Sequence, residues 1–164
     1  LNVKICGTHA GITVGEDGAS HESIEDISIM RAIPNMTVVV PADGIETEKV
    51  ILEAAKYNGP MYVRLGRSGV PTLFNDDYKF EIGKGTVLRE GTDATIIACG
   101  MMVNEAVLAH EELKSEGINV RVINMSTIKP IDKVILKELL VYQERQLFLK
   151  IARYMCITRM EVLR

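Results

Sequence analysis

The sequence predicts an α/β protein in which parallel strands alternate with helices that cover the faces of a sheet. Short runs rich in β-branched residues alternate with longer segments whose apolar residues recur at helical spacing. Strand–helix–strand–helix–strand order is typical of a parallel sheet with flanking helices. One Gly-, Pro- and Asn-containing stretch, RSGVPTLFNDDYKFEIGKG, interrupts this alternation before it resumes. We therefore expect two α/β units joined by a linker.

The first predicted unit, residues 1–74, contains three strands and two helices. Residues 2–6 end a strand, and SIEDISIMRAI follows as a helix that begins at Ser23, with acidic residues in its first turn. MTVVVPA has the length of a buried strand, and MYVRLGR returns as another. Between them, Asp43 is a suitable N-cap for the helix GIETEKVILEAAKY. The apolar stripes of the two helices are Ile24, Ile27, Ile29 and Met30, and Val50, Ile51, Ala54 and Ala55.

The second predicted unit, residues 85–140, follows a linker at residues 75–84. It contains the strand ATIIACG, the helix MMVNEAVLAHEELKSEG, the strand INVRVINMS and the helix KPIDKVILKELL. Gly117 is placed to end the first of these helices as its C′ residue, and Pro130 lies near the first turn of the second. This order predicts a smaller α/β domain.

Residues 141–164 form an atypical basic tail. They contain no Gly, Pro, Asn or Asp, although an α/β domain should turn into another strand here. Residues 143–164 hold five Lys or Arg against two Glu, so the tail carries a net charge of +3 and the remainder −6. We expect a basic amphipathic helix or the product of a shifted reading frame, and assign the tail no function. Because Leu1 stands inside a predicted strand, we expect a chain interrupted at both ends.

Composition disfavours several classes of function. The chain has 164 residues, a net charge of −3, no Trp and 5% aromatic residues. It therefore offers neither general attraction for nucleic acid or anionic membranes nor a platform for base stacking. Three widely spaced cysteines without a CxxC pair favour neither a zinc site nor a disulfide framework. We see no signal peptide and no apolar run of the length of a membrane helix, and we expect a cytoplasmic protein.

Titratable side chains concentrate in one glycine-rich loop, THAGITVGEDGASHES, residues 8–23. It contains His9, Glu16, Asp17 and His21, and it separates a predicted strand from a predicted helix. In an open α/β sheet, this places the loop at the carboxyl edge, where ligands bind. Its glycines allow positive φ angles and a close approach of the backbone to a ligand.

Four interpretations of this loop compete. A metal site would use His9, Glu16, Asp17 and His21, but their spacing matches no familiar signature. A phosphate-binding loop suits the glycines and imidazoles but not the two acids. A polar-substrate site would use histidines to move protons and a carboxylate to bind hydroxyls such as those of sugars. Alternatively, the histidines only stabilise the loop, and the residues alone leave the choice open.

The longer stretch GTHAGITVGEDGASHESIEDISIMRAIPNMTVVVPADGIE, with its H-x7-D-x3-H spacing, resembles the pyrimidine-binding domain of transketolases, which are thiamine-diphosphate enzymes. The similarity continues through GPMYVRLGR and GTDATIIACGMMVNEAVLAHEELKSEGINVRVINMSTIKPID into the third domain of that family. It covers residues 2–140 and looks most like the C-terminal subunit of split prokaryotic transketolases. The resemblance implies part of a pyrimidine-binding domain, then a smaller C-terminal domain, and transfer of a two-carbon ketol unit between sugar phosphates, as in the pentose phosphate pathway.

The resemblance also implies roles for four residues. His9 contacts the sugar substrate and its phosphate, and Asp17 hydrogen-bonds a substrate hydroxyl. His21 lies near the amino group of the cofactor and the reacting carbonyl, so it is the expected catalytic residue as well as a substrate-binding one. Arg67, in LGRSGVP, binds the substrate phosphate, which suits the bidentate geometry of a guanidinium. For Arg64, an exposed charge on its strand is an alternative interpretation.

Part of such an active site has no match in this chain. The missing parts are the glutamate that activates thiamine diphosphate, the aromatic residue that stacks on its pyrimidine ring, and the GDG-containing domain that holds the diphosphate and Mg²⁺. An N-terminal diphosphate-binding subunit is therefore an expected partner, in a dimer of such pairs, and the isolated chain is expected to be inactive. Two alternatives stay open: a relative of deoxyxylulose-phosphate synthase, which usually lacks a histidine at the position of His9, and a non-catalytic interaction module.

Overall fold

The computed structural model describes residues 1–142, which fold into two sheets with helices packed against them. The elements, in chain order, are β1 (Lys4–Gly7), a 3-10 segment (Ile12–Asp17), α1 (Asp26–Ala32), β2 (Thr37–Val39), α2 (Gly44–Lys56), β3 (Met61–Arg64), β4 (Thr86–Arg89), β5 (Ala94–Ala98), α3 (Met102–Ser115), β6 (Val120–Asn124), β7 (Thr127–Lys129) and α4 (Lys133–Tyr142). The mixed α/β class predicted from the sequence is confirmed.

The first sheet has the strand order β1-β3-β2-β7 within the described part of the chain. β3 pairs in parallel with β1 on one side and with β2 on the other, so the carboxyl ends of all three strands lie at one edge. β7 adds to β2 in the antiparallel direction. This three-residue strand was not predicted, and it comes from the second predicted unit. The two predicted units therefore share a sheet.

The second sheet has the order β4-β6-β5 among the residues described. β5 and β6 are parallel and are connected through α3, which is the predicted strand–helix–strand arrangement. β4 pairs antiparallel to β6 with a register shift between Val87 and Arg89. β4 was not predicted, because it is only four residues long and follows the Gly-containing linker closely.

Two of the three core clusters among the described residues lie on opposite faces of the first sheet, and the third, Ile123, Met125 and Leu139, lies between β6 and α4. One cluster, between α2 and the sheet, consists of Val39, Val50, Ala54, Met61 and Val63. A second, on the side of α1, consists of Ile27, Met36, Val38, Val40 and Tyr62. Consecutive strand residues point to opposite faces of the sheet. Because both faces are covered, β2 and β3 are buried along their whole length. Burial on both faces is typical of a parallel sheet covered by helices.

Two predicted helices differ from the structure at their starts. α1 begins at Asp26 rather than Ser23, and its predicted stripe is only partly buried, since Ile24 and Ile29 are exposed. α4 begins at Lys133, after the Lys129–Pro130 peptide, because the Asp132 carboxylate accepts hydrogen bonds from the first free backbone N–H groups. α4 therefore begins four residues later than the predicted helix KPIDKVILKELL, and Pro130 lies just before its first turn.

The predicted stripe of α2 is also only half correct, since Val50 and Ala54 are buried but Ile51 and Ala55 are exposed. The predicted helix-terminus signals agree with the structure. The Asp43 carboxylate caps α2 by accepting from the backbone N–H of Glu46 at 2.8 Å. Gly117 has a φ of +83° just beyond the end of α3, as expected for a C′ residue. The predicted tail from residue 143 onward lies outside the described residues. Within residues 1–142, no helix is long and apolar enough to cross a membrane.

Candidate functional site

The loop at residues 8–23 lies at the carboxyl edge of the first sheet, between β1 and α1. Its three glycines adopt the predicted positive φ angles, at Gly11, Gly15 and Gly18. His9 also has a φ of +61°, a left-handed conformation that is uncommon for residues other than glycine. The loop therefore has the edge position and the backbone geometry expected from the sequence.

Backbone hydrogen bonds close the neck of this loop. The N–H of Gly11 donates to the carbonyl of Ser23 at 2.9 Å, which joins the two sides of the loop. The N–H of Ala10 donates to the carbonyl of Leu65 at 3.3 Å, which ties the loop to the segment after β3. The residues that follow β1 and β3 are thus held side by side.

Arg67 contacts the loop directly from the turn after β3. Its Nη1 donates to the carbonyl of Val14 and lies 3.4 Å from the Asp17 carboxylate. Both side chains are partly exposed, at 37% for Arg67 and 47% for Asp17. The structure therefore brings two of the four predicted site residues together, in an ion pair that solvent reaches.

The two histidines of the loop are exposed at the same edge. His21 Nδ1 lies 3.1 Å from the hydroxyl of its neighbour Ser20. In the described part of the chain, neither His9 nor His21 is in hydrogen-bond contact with Asp17 or Arg67. The structure thus places all four predicted residues on adjoining segments but joins only one pair. Exposed imidazoles can still donate, accept or transfer protons to a bound ligand.

Arg64 is buried, so the alternative interpretation as an exposed strand charge was wrong. It is 7% exposed, and its Nε donates to the Asp26 carboxylate at 2.8 Å. The Tyr62 hydroxyl donates to the same carboxylate oxygen at 2.7 Å. Burial, together with that hydrogen bond and the charge of Asp26, raises the pKa of Tyr62 far above its usual value. Sequence reasoning missed this group because Asp26 lies 36 and 38 residues away from its partners in the chain.

A metal site at the loop is not supported by the structure. Among residues 1–142, no three His, Cys, Asp or Glu side chains converge in a way that could hold a metal ion. The four candidate ligands stand on one loop, but Asp17 turns toward Arg67, and His21 turns toward Ser20. The polar-substrate interpretation needs no such convergence.

A cavity of about 390 Å³ opens beside the loop. It is bordered by the segments that follow β2, β3 and β5, including the first residue of α2. The lining residues are Ala10, Thr13, Val40, Pro41, Ala42, Asp43, Gly44, Thr47, Arg64, Leu65, Gly66, Ser68, Gly69, Val70, Gly100 and Met101. None of the four predicted site residues lines it, although their chain neighbours Ala10, Gly66 and Ser68 do.

Comparison with known protein families identifies both parts of the chain. Residues 1–72 match the transketolase pyrimidine-binding domain, and residues 83–158 match the transketolase C-terminal domain. The chain belongs to the transketolase family. The match to the second domain extends beyond the described residues into the basic tail at residues 141–164.

Several transketolases are similar to this chain over most of its length. A putative transketolase C-terminal section from Methanocaldococcus jannaschii is 54% identical over 140 residues, which is 84% of this chain and 44% of that protein. A split-gene transketolase, solved as an inactive β4 tetramer, is 49% identical with a TM-score of 0.79, covering 87% of this chain and 46% of that one. Transketolase from Pichia stipitis, solved with sedoheptulose-7-phosphate, is 32% identical with a TM-score of 0.68, covering 77% and 19%. This transketolase-family chain thus spans less than half the length of these relatives.

Proposed function

We propose that this chain forms the sugar-phosphate side of a transketolase active site, in an enzyme that transfers a two-carbon ketol unit between sugar phosphates. The contact of Arg67 with the loop at Val14 and Asp17 carries the proposal. It joins a guanidinium to a carboxylate of the loop, which also exposes two imidazoles at the edge of the sheet where ligands bind in such folds. The sedoheptulose-7-phosphate complex of the Pichia stipitis relative supports a sugar phosphate as the ligand.

The exposure of the Arg67–Asp17 pair suits a phosphate-binding role. An ion pair that is exposed on both sides contributes only about 0–1 kcal/mol to stability. A substrate phosphate can therefore take over the guanidinium, in a bidentate contact that is stronger than the 3.4 Å pair. Asp17, released from Arg67, then accepts a hydrogen bond from a substrate hydroxyl, while His9 contacts the sugar and its phosphate.

His21 is the proposed catalytic residue of this chain. Its exposed imidazole can hold or move a proton at the reacting carbonyl of the substrate. Thiamine diphosphate, when bound in the assembled enzyme, supplies the nucleophilic carbon that carries the two-carbon unit. Of the residues described, His21 is the one that we expect to meet the amino group of its pyrimidine ring. The described residues do not fit an Mg²⁺ site, so we expect a partner subunit to hold the diphosphate and the metal.

We further propose that the chain works with an N-terminal diphosphate-binding subunit, in a dimer of such pairs in the cytoplasm, and contributes to the pentose phosphate pathway. The similarity to a C-terminal section and to a split-gene transketolase supports such a partner. The structure of that split-gene relative is of an inactive β4 tetramer. This supports our expectation that this chain alone does not catalyse ketol transfer.

Reconstitution tests the proposal. The chain would be combined with a diphosphate-binding transketolase subunit, thiamine diphosphate and Mg²⁺, and ketol transfer from sedoheptulose-7-phosphate to an aldose phosphate would be followed. We expect turnover by the combination and none by either chain alone. Arg67→Ala should raise the KM for the phosphorylated donor by about tenfold or more, because a charge-assisted phosphate contact is lost. Arg89→Ala, which removes an exposed arginine of β4, is the matched control.

Two results would contradict the proposal. If the subunits associate but do not transfer a ketol unit, the chain is a non-catalytic interaction module with a transketolase fold. If the assembled enzyme instead decarboxylates pyruvate and joins the remaining two-carbon acetyl unit to glyceraldehyde 3-phosphate, with release of CO2 and deoxyxylulose phosphate, the synthase alternative is correct.

A further inference from the structure

Arg64, the last residue of β3, contacts the chain near the start of the loop, at Gly11, and shortly after its end, at Asp26. We propose that Arg64 and Asp26 are positioning residues that hold the loop at residues 8–23 in place for the sugar phosphate. The proposal rests on the proposed function for what the loop binds, because it concerns the same site. The claim that this buried pair controls the position of the loop depends only on contacts within the chain.

The contact on the far side of the loop is a buried ion pair. Asp26 is the first residue of α1, directly after the loop, and its Oδ2 accepts from Arg64 Nε at 2.8 Å and from the Tyr62 hydroxyl at 2.7 Å. The side chains of Arg64 and Asp26 are only 8% and 10% exposed. Within the described residues, Asp26 Oδ1 is buried without a hydrogen-bond partner. Both hydrogen bonds that join Asp26 to β3 therefore end on Oδ2. Removing either charge leaves the other buried and uncompensated, so a single substitution here should disturb this contact strongly.

The contact on the near side is a close approach of backbone to guanidinium. Gly11 has a φ of +92°, and a Cβ atom there would lie 2.9 Å from Arg64 Nη2. The backbone of the loop therefore passes close to the guanidinium at Gly11, whose N–H donates to the carbonyl of Ser23. Arg64 thus touches the point where the loop starts and, through Asp26, the point just after it ends.

This arrangement links the loop to Arg67. Arg64 and Arg67 are separated by two residues, and between them Leu65 exchanges backbone hydrogen bonds with Gly7 at 2.7 Å and Ala10 at 3.3 Å. A change in the Arg64–Asp26 contact therefore moves the loop relative to Arg67. Misplacement of substrate-positioning groups by about 1 Å can lower activity about a hundredfold.

The three histidines of the chain provide a direct readout of loop position. His9 and His21 lie in the loop, whereas His110 is buried in α3 with its Nδ1 2.6 Å from the carbonyl of Val120. Asp26→Asn and the milder Tyr62→Phe would be made in the 164-residue chain, and imidazole NMR signals would be recorded at one pH. We expect shifted or broadened signals of His9 and His21, with His110 unchanged.

A matched control comes from a second arginine–carboxylate pair. Arg89 Nε lies 3.1 Å from the Glu111 carboxylate, but these side chains are 43% and 54% exposed. Glu111→Gln should leave the signals of His9 and His21 in place. The proposal is overturned if Asp26→Asn and Tyr62→Phe leave both loop histidines unchanged. It is also overturned if all three histidines change together in both variants, because the pair then supports the whole fold rather than the loop.

Kinetics of the assembled enzyme separate the positioning role from the proposed function. We expect Asp26→Asn to raise the KM for sedoheptulose-7-phosphate about tenfold, with a smaller effect on kcat and an unchanged dissociation constant for thiamine diphosphate. Arg64→Lys, which keeps the charge, should fall between Arg64→Met and the wild type. An unchanged KM in every variant would overturn the positioning role. If the wild-type assembly transfers no ketol unit, the proposed function fails, and the histidine signals still decide whether the pair positions the loop.

Discussion

Two regions of the molecule hold their polar side chains in opposite ways. The loop at residues 8–23 exposes its charged groups, and its ion pair with Arg67 is open to solvent. The first turn of α2 instead buries a polar network, in which Asp43 is 2% exposed and Glu46 and Asn124 are 0% exposed. We refer to Asp43, Glu46, Tyr78 and Asn124 as the α2 network.

The α2 network joins three parts of the chain. The Glu46 carboxylate accepts from the backbone N–H of Ala42 at 2.7 Å, from the Tyr78 hydroxyl at 2.9 Å, and from the Asn124 amide at 2.9 and 3.0 Å. Tyr78 lies in the predicted linker and Asn124 ends β6, so one buried carboxylate connects the first unit, the linker and the second sheet. Burial and the neighbouring Glu46 charge raise the pKa of Tyr78 far above its usual value, which keeps its hydroxyl a donor.

The difference between the regions separates stability from ligand binding. Buried hydrogen bonds are costly to leave unmade, so the α2 network fixes the scaffold. Exposed charges contribute little to stability and keep their hydrogen-bonding capacity for a ligand. Substitutions in the α2 network should therefore lower stability, whereas substitutions in the loop should change binding with little effect on stability.

The largest loss of stability is expected from Glu46→Ala. It leaves the N–H of Ala42, the Tyr78 hydroxyl and the Asn124 amide buried without their acceptor, so we expect the free energy of unfolding to fall by about 3 kcal/mol or more. Urea denaturation followed by circular dichroism measures this. Glu48→Ala, at an exposed position of the same helix, is the control and should change stability by less than about 0.5 kcal/mol. Equal effects of the two substitutions would show that the α2 network does not stabilise the fold.

A smaller loss is expected from Asp43→Ala. This residue caps α2 through Oδ1, and its Oδ2 accepts from the backbone N–H groups of Leu73 and Phe74 at 2.7 and 2.9 Å. Loss of the cap and of the linker contacts should lower the free energy of unfolding by about 2 kcal/mol. Asp43→Asn keeps an acceptor for the helix, so it should cost clearly less. A loss for Asn that equals the loss for Ala would mean that the charge, and not the cap, is what matters.

Whether a contact could be predicted from the sequence depends on how far apart its two residues lie along the chain. The cap at Asp43 was predicted because a cap and its helix are neighbours in sequence. The role of Glu46 was not, since its partner Asn124 is 78 residues away and no local pattern connects them. Likewise, Arg64 looks like an exposed strand charge until Asp26 is placed beside it. β7 was missed because three residues carry too little pattern to indicate a strand.

The candidate site shows the same division. The edge position of the loop and the positive φ angles of its glycines follow from local sequence, and both were predicted. The contact of Arg67 with Asp17 depends on the pairing of β1 with β3, which brings residues 50 positions apart together. The roles of His9, Asp17, His21 and Arg67 in binding stay predictions.

Asp132, which lies outside both regions, is expected to make the stability of the fold depend on pH. Burial raises the pKa of its carboxyl, but hydrogen bonds from the backbone N–H groups of Gly85, Ile135 and Val134 outweigh burial and lower the pKa below its usual 3.8. Since the folded pKa lies below the unfolded one, the stabilisation is complete above about pH 4 and is lost as the pH falls through the folded pKa. Asp132→Asn should therefore be less stable than the wild type at pH 7, and the difference should narrow below pH 4. A difference that is constant with pH would show that ionisation of Asp132 is not linked to folding.

The smallest effect on stability is expected for the Arg67–Asp17 pair. Arg67→Ala, Asp17→Ala and the double variant form a cycle whose coupling free energy should be about 0.5 kcal/mol at low salt and should vanish near 1 M salt, where exposed charges are screened. Urea denaturation of the four chains at two salt concentrations measures it. A coupling above about 2 kcal/mol that survives high salt would mean that the loop holds Arg67 as firmly as the α2 network holds Glu46. A phosphate would then have to break a strong contact to reach the guanidinium, so the size of this coupling determines how readily Arg67 can bind a substrate.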